Sequence, residues 1–375
     1  MVSEVSVTTG EVLEGTTRYT GESERLCDEV MIIHVMTGGT EHKVIELYQS
    51  CKPKALFITA FPKRNSLPAA LEALQGLEKG GLYLVKSDED LQKVRVMAKR
   101  AERFVNSKSV LIGGVAPWLV EVPSRERLEE VFGIRVIDVS IDELITSFEN
   151  SKVEEDTIKS IKAGASKVEV KDEDLVNALK LRNALEKVID LVGAKSLAIN
   201  CFELIKHLGV TPCLPLALLN SANIPSACEG DLLALSGMIL SYIAFGKVGG
   251  VFNVVDLQRG RVLLAHCTAP LTMLDDYSLV PHYETGAPVA VQGRILPGRD
   301  LIALRLSKGL KEAQVWIGKS TVGPRADACR TQVWMEANVN PRGNHRVLVD
   351  SSDTRALRAA LGAFGIKPPD ELYLA

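Results

Sequence analysis

Glu29-Val30-Met31-Ile32-Ile33-His34-Val35-Met36, running into Thr37-Gly38-Gly39-Thr40, decides the fold class. The run is apolar almost throughout and does not alternate, so it reads as a strand covered on both faces, as in parallel sheets. The threonine–glycine turn can open a helix, and Glu41 to Ser50 supplies one. Further along the chain the same unit recurs. Strands are predicted at Ala55 to Ala60, Leu82 to Val85 and Ser109 to Ile112, and helices at Leu67 to Leu77 and Asp88 to Phe104. The residues before Glu29 read as a polar leader.

The alternation continues through helices at Glu126 to Phe132 and Ile141 to Ser147, with a strand at Ile134 to Val139. A long helical region from Glu154 to Val192, broken near Gly164, leads to a strand at Leu197 to Cys201 and a buried helix at Leu232 to Phe245. After that the texture changes. Val251 to Val255, Arg261 to His266, Pro288 to Gln292, Leu301 to Leu306, Gln314 to Ser320, Thr331 to Met335 and Arg346 to Val349 are short strands separated by glycine and proline turns. A helix at Thr354 to Phe364 closes the chain. Close strand spacing points to an antiparallel sheet or barrel. The expected architecture is two Rossmann-like parallel α/β domains, 1–110 and 111–248, followed by a β-rich antiparallel or barrel-like domain, 249–375.

Composition removes several functions. With 46% apolar and 24% charged residues and a net charge of −3 in 375 residues, no basic field marks nucleic acid or an anionic membrane. Aromatics are scarce and not interleaved with Lys or Arg, so no base-stacking surface is predicted. No apolar stretch reaches the ~20 residues that span a bilayer, and the acidic start lacks a signal-type core. Seven cysteines without a Cys-x-x-Cys pair read as free thiols of a reducing, cytoplasmic environment.

Four residues at element ends carry the chemical signal. Glu229, in Pro225-Ser226-Ala227-Cys228-Glu229-Gly230-Asp231, precedes the buried helix, where α/β folds place their sites. Its plainer reading is a first-turn charge beside the N-cap Asp231. Asp256 and His266 each end an apolar strand, and His345 sits in the turn Arg342-Gly343-Asn344-His345. Two carboxylates and two imidazoles in one half of the chain suit Mn²⁺, Fe²⁺, Co²⁺ or Zn²⁺.

Cys228-Glu229-Gly230-Asp231, Asp256, His266 and Asn344-His345, in that order, resemble the L-fucose/L-arabinose isomerase superfamily. The resemblance extends to Cys329-Arg330-Thr331-Gln332 and to Thr37-Gly38-Gly39-Thr40. It implies a metal-dependent aldose–ketose isomerase acting on a pentose or 6-deoxyhexose through an enediolate. Glu229 and Asp256 would share metal binding and acid/base work, and His345 and His266 would complete the coordination of a divalent ion, foremost Mn²⁺. It also implies a homo-oligomer whose partner molecule is the sugar. Weaker substrate candidates are Asn65, Ser66, Trp118 and Arg330, with Lys63 and Arg64 joining Arg330 if the sugar is phosphorylated. The competing reading is a non-catalytic sugar-binding or regulatory relative.

Overall fold

A computed structural model of the chain describes residues 1–21, 26–62 and 65–374. The opening α/β unit is a parallel five-stranded sheet, built from β1 (Val2–Val7), β2 (Thr17–Arg18), β3 (Val30–Val35), β4 (Ala55–Ala60) and β5 (Gly81–Leu84) in the order β2-β1-β3-β4-β5. All six residues of β3 are buried, as its unbroken apolar run requires. Helices α1 (Glu41–Cys51), α2 (Ser66–Gln75) and α3 (Asp88–Glu102) connect the strands. The polar leader is in fact β1 and β2. Glu4 hides the strand character of the first, yet its Oε1 pairs with the buried His34 at 2.8 Å and with Arg95. A disulfide joins Cys27 to Cys51, with Cα atoms 5.0 Å apart, and corrects the expectation that every cysteine is a thiol. The other five are free and buried.

The second sheet has the order β10-β9-β6-β7 and is again parallel. It contains β6 (Lys108–Ile112), β7 (Arg135–Val139), β9 (Ser196–Ile199) and the short edge strand β10 (Ser226–Ala227). Around it lie α4 (Arg125–Phe132), α5 (Ile141–Glu149), α6 (Glu155–Gly164), the two-residue strand β8 (Lys167–Val168) and α7 (Asp172–Val192). Two further helices, α8 (Cys201–Leu208) and α9 (Cys213–Ser221), and then α10 (Leu232–Phe245) complete the unit. Ser140 and Glu143 form a capping box that fixes the start of α5. Helix α10 is apolar all round because it is covered all round, by α3 on one side and by the third unit on the other.

That third unit is a closed antiparallel barrel in the order β11-β12-β17-β16-β15-β18. Its strands are β11 (Gly250–Gln258), β12 (Arg261–His266), β15 (Asp300–Leu306), β16 (Ala313–Thr321), β17 (Thr331–Glu336) and β18 (Arg346–Asp350). Between β12 and β15 run β13 (Asp276–Val280) and β14 (Ala290–Arg294), which pair with each other and, through β13, with β8. Closure leaves no free edge, and Phe252, Leu264, Trp316 and Leu348 fill the interior. Helix α11 (Thr354–Ala363) then returns to the first sheet, followed by α12 (Glu371–Leu374). The approach of α11 is so close that a Cβ on Gly81 of β5 would stand 2.0 Å from the Ala359 carbonyl oxygen. Among the described residues, no helix is long and apolar enough to cross a membrane.

Candidate metal centre

The site grows from the loop that links β10 to α10. Asp231 is the N-cap of α10: its Oδ1 accepts from the backbone N–H of Leu233 at 2.8 Å and of Ala234 at 2.9 Å. Gly230 (φ 65°) must be glycine, since a Cβ there would lie 2.2 Å from the Gly114 carbonyl oxygen. Glu229 also takes a left-handed backbone, φ 58°, which for a non-glycine residue costs about 1–2 kcal/mol and is characteristic of functional positions. Its conformation is held from three sides. The Glu229 carbonyl accepts from Ala116 N–H at 2.9 Å, its own N–H donates to Cys201 Sγ at 3.2 Å, and the Trp118 indole N–H donates to Oε2 at 2.6 Å.

Two imidazoles from the barrel reach the same place. His345 stands at the start of β18, in a turn tied to β11: Asn344 Oδ1 accepts from Val254 N–H at 2.9 Å, and Asn344 Nδ2 donates to Asn253 Oδ1 at 2.6 Å. Its Nδ1 meets the second carboxylate oxygen of Asp231 at 2.7 Å, and its Nε2 lies 3.6 Å from Glu229 Oε1. His266, at the end of β12, has Nδ1 on the Thr268 hydroxyl at 3.0 Å and Nε2 at 3.4 Å from Cys228 Sγ. The two rings are edge to face with centroids 5.9 Å apart. Cys228, Glu229 and His266 present ligand-type atoms all within 4.8 Å of one another. Above them opens a cleft of about 890 Å³, lined among others by Trp118, Phe202, Glu229, Asn253, Asn344 and His345. A larger cavity of about 1030 Å³ beside the barrel has no imidazole or thiol in its lining, so the chemistry belongs to the smaller one.

Charge follows from these contacts. Burial opposes ionisation of Glu229, but the hydrogen bond and charge of His345, with His266 and Trp118 behind them, hold its carboxyl down at about 2. Burial likewise opposes charge on His345, yet Asp231 and Glu229 lift its imidazole to about 10. His266 has no such partner. Burial and the neighbouring His345 push it down to about 3, so it is neutral. The thiol of Cys228 is raised by its contact with Cys201 and by burial. In the metal-free chain the site is therefore an anion, Glu229, beside an imidazolium, with one neutral imidazole and one thiol.

No protein-family model and no curated protein matches this chain. The isomerase resemblance accordingly rests on these residues alone, and the structure sorts them. Glu229, His266 and His345 come together as expected, and Trp118 joins them at the cleft. Asp256 does not. A β-bulge between Val254 and Asp256 adds a residue to β11, so Asp256 pairs with Leu263 rather than continuing the register of Val254, which faces Leu264. The Asp256 side chain is exposed and bound to its own hairpin, through Leu257 N–H and the Gln258 amide. Arg330 is also elsewhere, donating to the Pro281 carbonyl and lying over Tyr283. Ser66 is buried on the first sheet, bridging Val35 and Phe61, with Asn65 exposed beside it. Lys63 and Arg64 lie outside the described residues. Asp231, read from sequence as a cap, also orients His345; that second role had no sequence signal, because the two are 114 positions apart.

Proposed function

We propose that the protein is a metal-dependent aldose–ketose isomerase that takes a monosaccharide, of the pentose or 6-deoxyhexose class, into the cleft above Glu229. One observation carries the reading: a half-buried carboxylate at the wall of a cleft wide enough for a sugar meets two imidazoles, His345 beside it in the cleft and His266 buried behind it. The donor set suits a divalent cation. His266 has its far nitrogen on the Thr268 hydroxyl, which turns Nε2 toward Cys228 and Glu229, the usual arrangement of a metal-binding histidine.

The ion would supply positive charge next to a sugar carbonyl and its neighbouring hydroxyl, which makes the C–H between them acidic. The chain does the rest. Trp118 holds Oε2 of Glu229, and Oε1, 3.6 Å from His345 Nε2, is the oxygen left to take a proton. His345, charged and held by Asp231, can give a proton to a sugar oxygen and take it back. The half-exposed face of Trp118 offers apolar surface for the sugar ring.

The test is an assay of aldopentoses and 6-deoxyhexoses with added divalent ions, reading ketose formation. The wild-type chain should interconvert at least one pair, and Glu229→Gln should lower the rate by about 10³-fold without changing the circular dichroism spectrum. Failure of the wild type across the panel would instead favour a sugar-binding relative.

A further inference from the structure

We infer that the cation's protein ligands are Cys228, Glu229 and His266, that the sulfur makes the site one for Zn²⁺, Co²⁺ or Fe²⁺ rather than Mn²⁺, and that His345 stands outside the coordination shell. This rests on the reading of Glu229 as a metal ligand and adds a donor that the isomerase resemblance does not supply. Three observations carry it. First, these three residues, from one loop and one barrel strand, form the only such trio among the described residues, with donor atoms mutually within 4.8 Å. Second, the separations suit one ion. Bonds of about 2.0–2.1 Å to nitrogen and about 2.3 Å to sulfur put two tetrahedral ligands roughly 3.6 Å apart. Cys228 Sγ and His266 Nε2 are 3.4 Å apart. Third, the orientation is enforced from behind. Thr268 occupies His266 Nδ1, and the left-handed turn at Glu229 and Gly230 sets the direction of the adjacent carboxylate.

Cys228 and His266 are 2% and 6% exposed, so an ion there would be shielded on the protein side. Glu229 is the member that lines the cleft, which gives substrate oxygens a remaining position on that side. His345 touches Glu229 but is not part of the trio, and its Nδ1 is paired with a full carboxylate. It is thus placed to handle protons beside the ion. A thiolate with an imidazole selects borderline and soft cations, whereas Mn²⁺ favours oxygen. On binding, the Cys228 thiol gives its proton to solvent as the metal–sulfur bond forms, and the metal's oxidation state does not change.

The full-length protein, stripped with a chelator, would be loaded with one equivalent of Co²⁺ and read by absorption. A sulfur-to-cobalt charge-transfer band in the near ultraviolet, alongside visible ligand-field bands, is the expected result. Cys228→Ser should lose the charge-transfer band and weaken Co²⁺ binding by ~100-fold or more, above what loss of an outer-shell partner costs. Cys329→Ser, a buried cysteine outside the trio, should keep both. X-ray absorption of the zinc-loaded wild type needs no variant and covers the case in which Cys228→Ser fails to fold; one sulfur at about 2.3 Å is expected. An ion that binds with nitrogen and oxygen neighbours only, and is lost in Glu229→Gln, would overturn the sulfur ligand while leaving the metal-dependent reading standing. No stoichiometric binding would overturn both.

Discussion

Asp231 does two jobs with two oxygens, and substitution can separate them. Oδ1 caps α10, and Oδ2 holds His345 Nδ1. Asparagine keeps an oxygen for the cap but removes the charge that raises the imidazole. In the metal-free protein His345 titrates at about 10, against an ordinary 6.5. A group whose folded value is raised adds stability that is complete below its unfolded value and fades as pH climbs through the folded one. The difference in unfolding free energy between wild type and Asp231→Asn should therefore be largest below pH 6.5, at ~2 kcal/mol, and shrink toward pH 10. Urea unfolding of chelated protein across that range measures it; a difference that grows with pH would contradict the pairing. His266 and Glu229, both lowered, work in the opposite sense and weaken the fold as pH falls. Of these residues, Glu229 and both histidines were legible as polar groups at element ends, next to apolar runs. Cys228 was legible as part of the Cys228–Asp231 run but not as a ligand, because nothing local says that a strand from the barrel will bring His266 within 3.4 Å of it.

At the scale of elements, the apolar runs were the readable part. Strand β4, strand β12 and helix α10 fall on the ranges their patterns predict, since a buried strand or helix must be apolar wherever it is covered. The misses have local causes. Strand β1 carries Glu4, whose charge is compensated by His34 and Arg95 from other elements, so its sequence looks like a solvated leader. Strand β8 is two residues long and exists only because β13 lies beside it. Asp256 ends an apolar run as a ligand would, but it lies past a β-bulge on the exposed end of its hairpin, and a bulge leaves no mark in hydropathy. The docking of α11 on β5 gives a direct test of element contact. Gly81→Ala would drive a Cβ against backbone that has no rotamer to adopt, so the variant should lose about 1–3 kcal/mol. Hydrogen exchange should then rise in α11 and β5 and not in the barrel; unchanged protection of α11 would contradict the contact.

For the whole molecule, the two parallel sheets and the terminal barrel match the architecture expected from strand spacing. What spacing does not convey is how the units share surfaces. Helix α10 is enclosed between α3, α11 and the barrel strands β15 and β18, and α11 also covers the first sheet. The same interlocking makes the site. Its carboxylate and thiol come from the loop after β10, its imidazoles from opposite ends of two barrel strands, and its indole from the loop after β6. Sequence order brings the carboxylate, the thiol and the imidazoles into one half of the chain and leaves Trp118 in the other, so only the packing of barrel against sheet decides which of them meet. The central claim is a cation at Glu229, and crystals of the zinc-loaded protein test it by anomalous scattering at the zinc edge. One peak is expected, about 2.0–2.3 Å from Cys228 Sγ, a Glu229 carboxylate oxygen and His266 Nε2. A fully loaded crystal with no peak in this loop would contradict it.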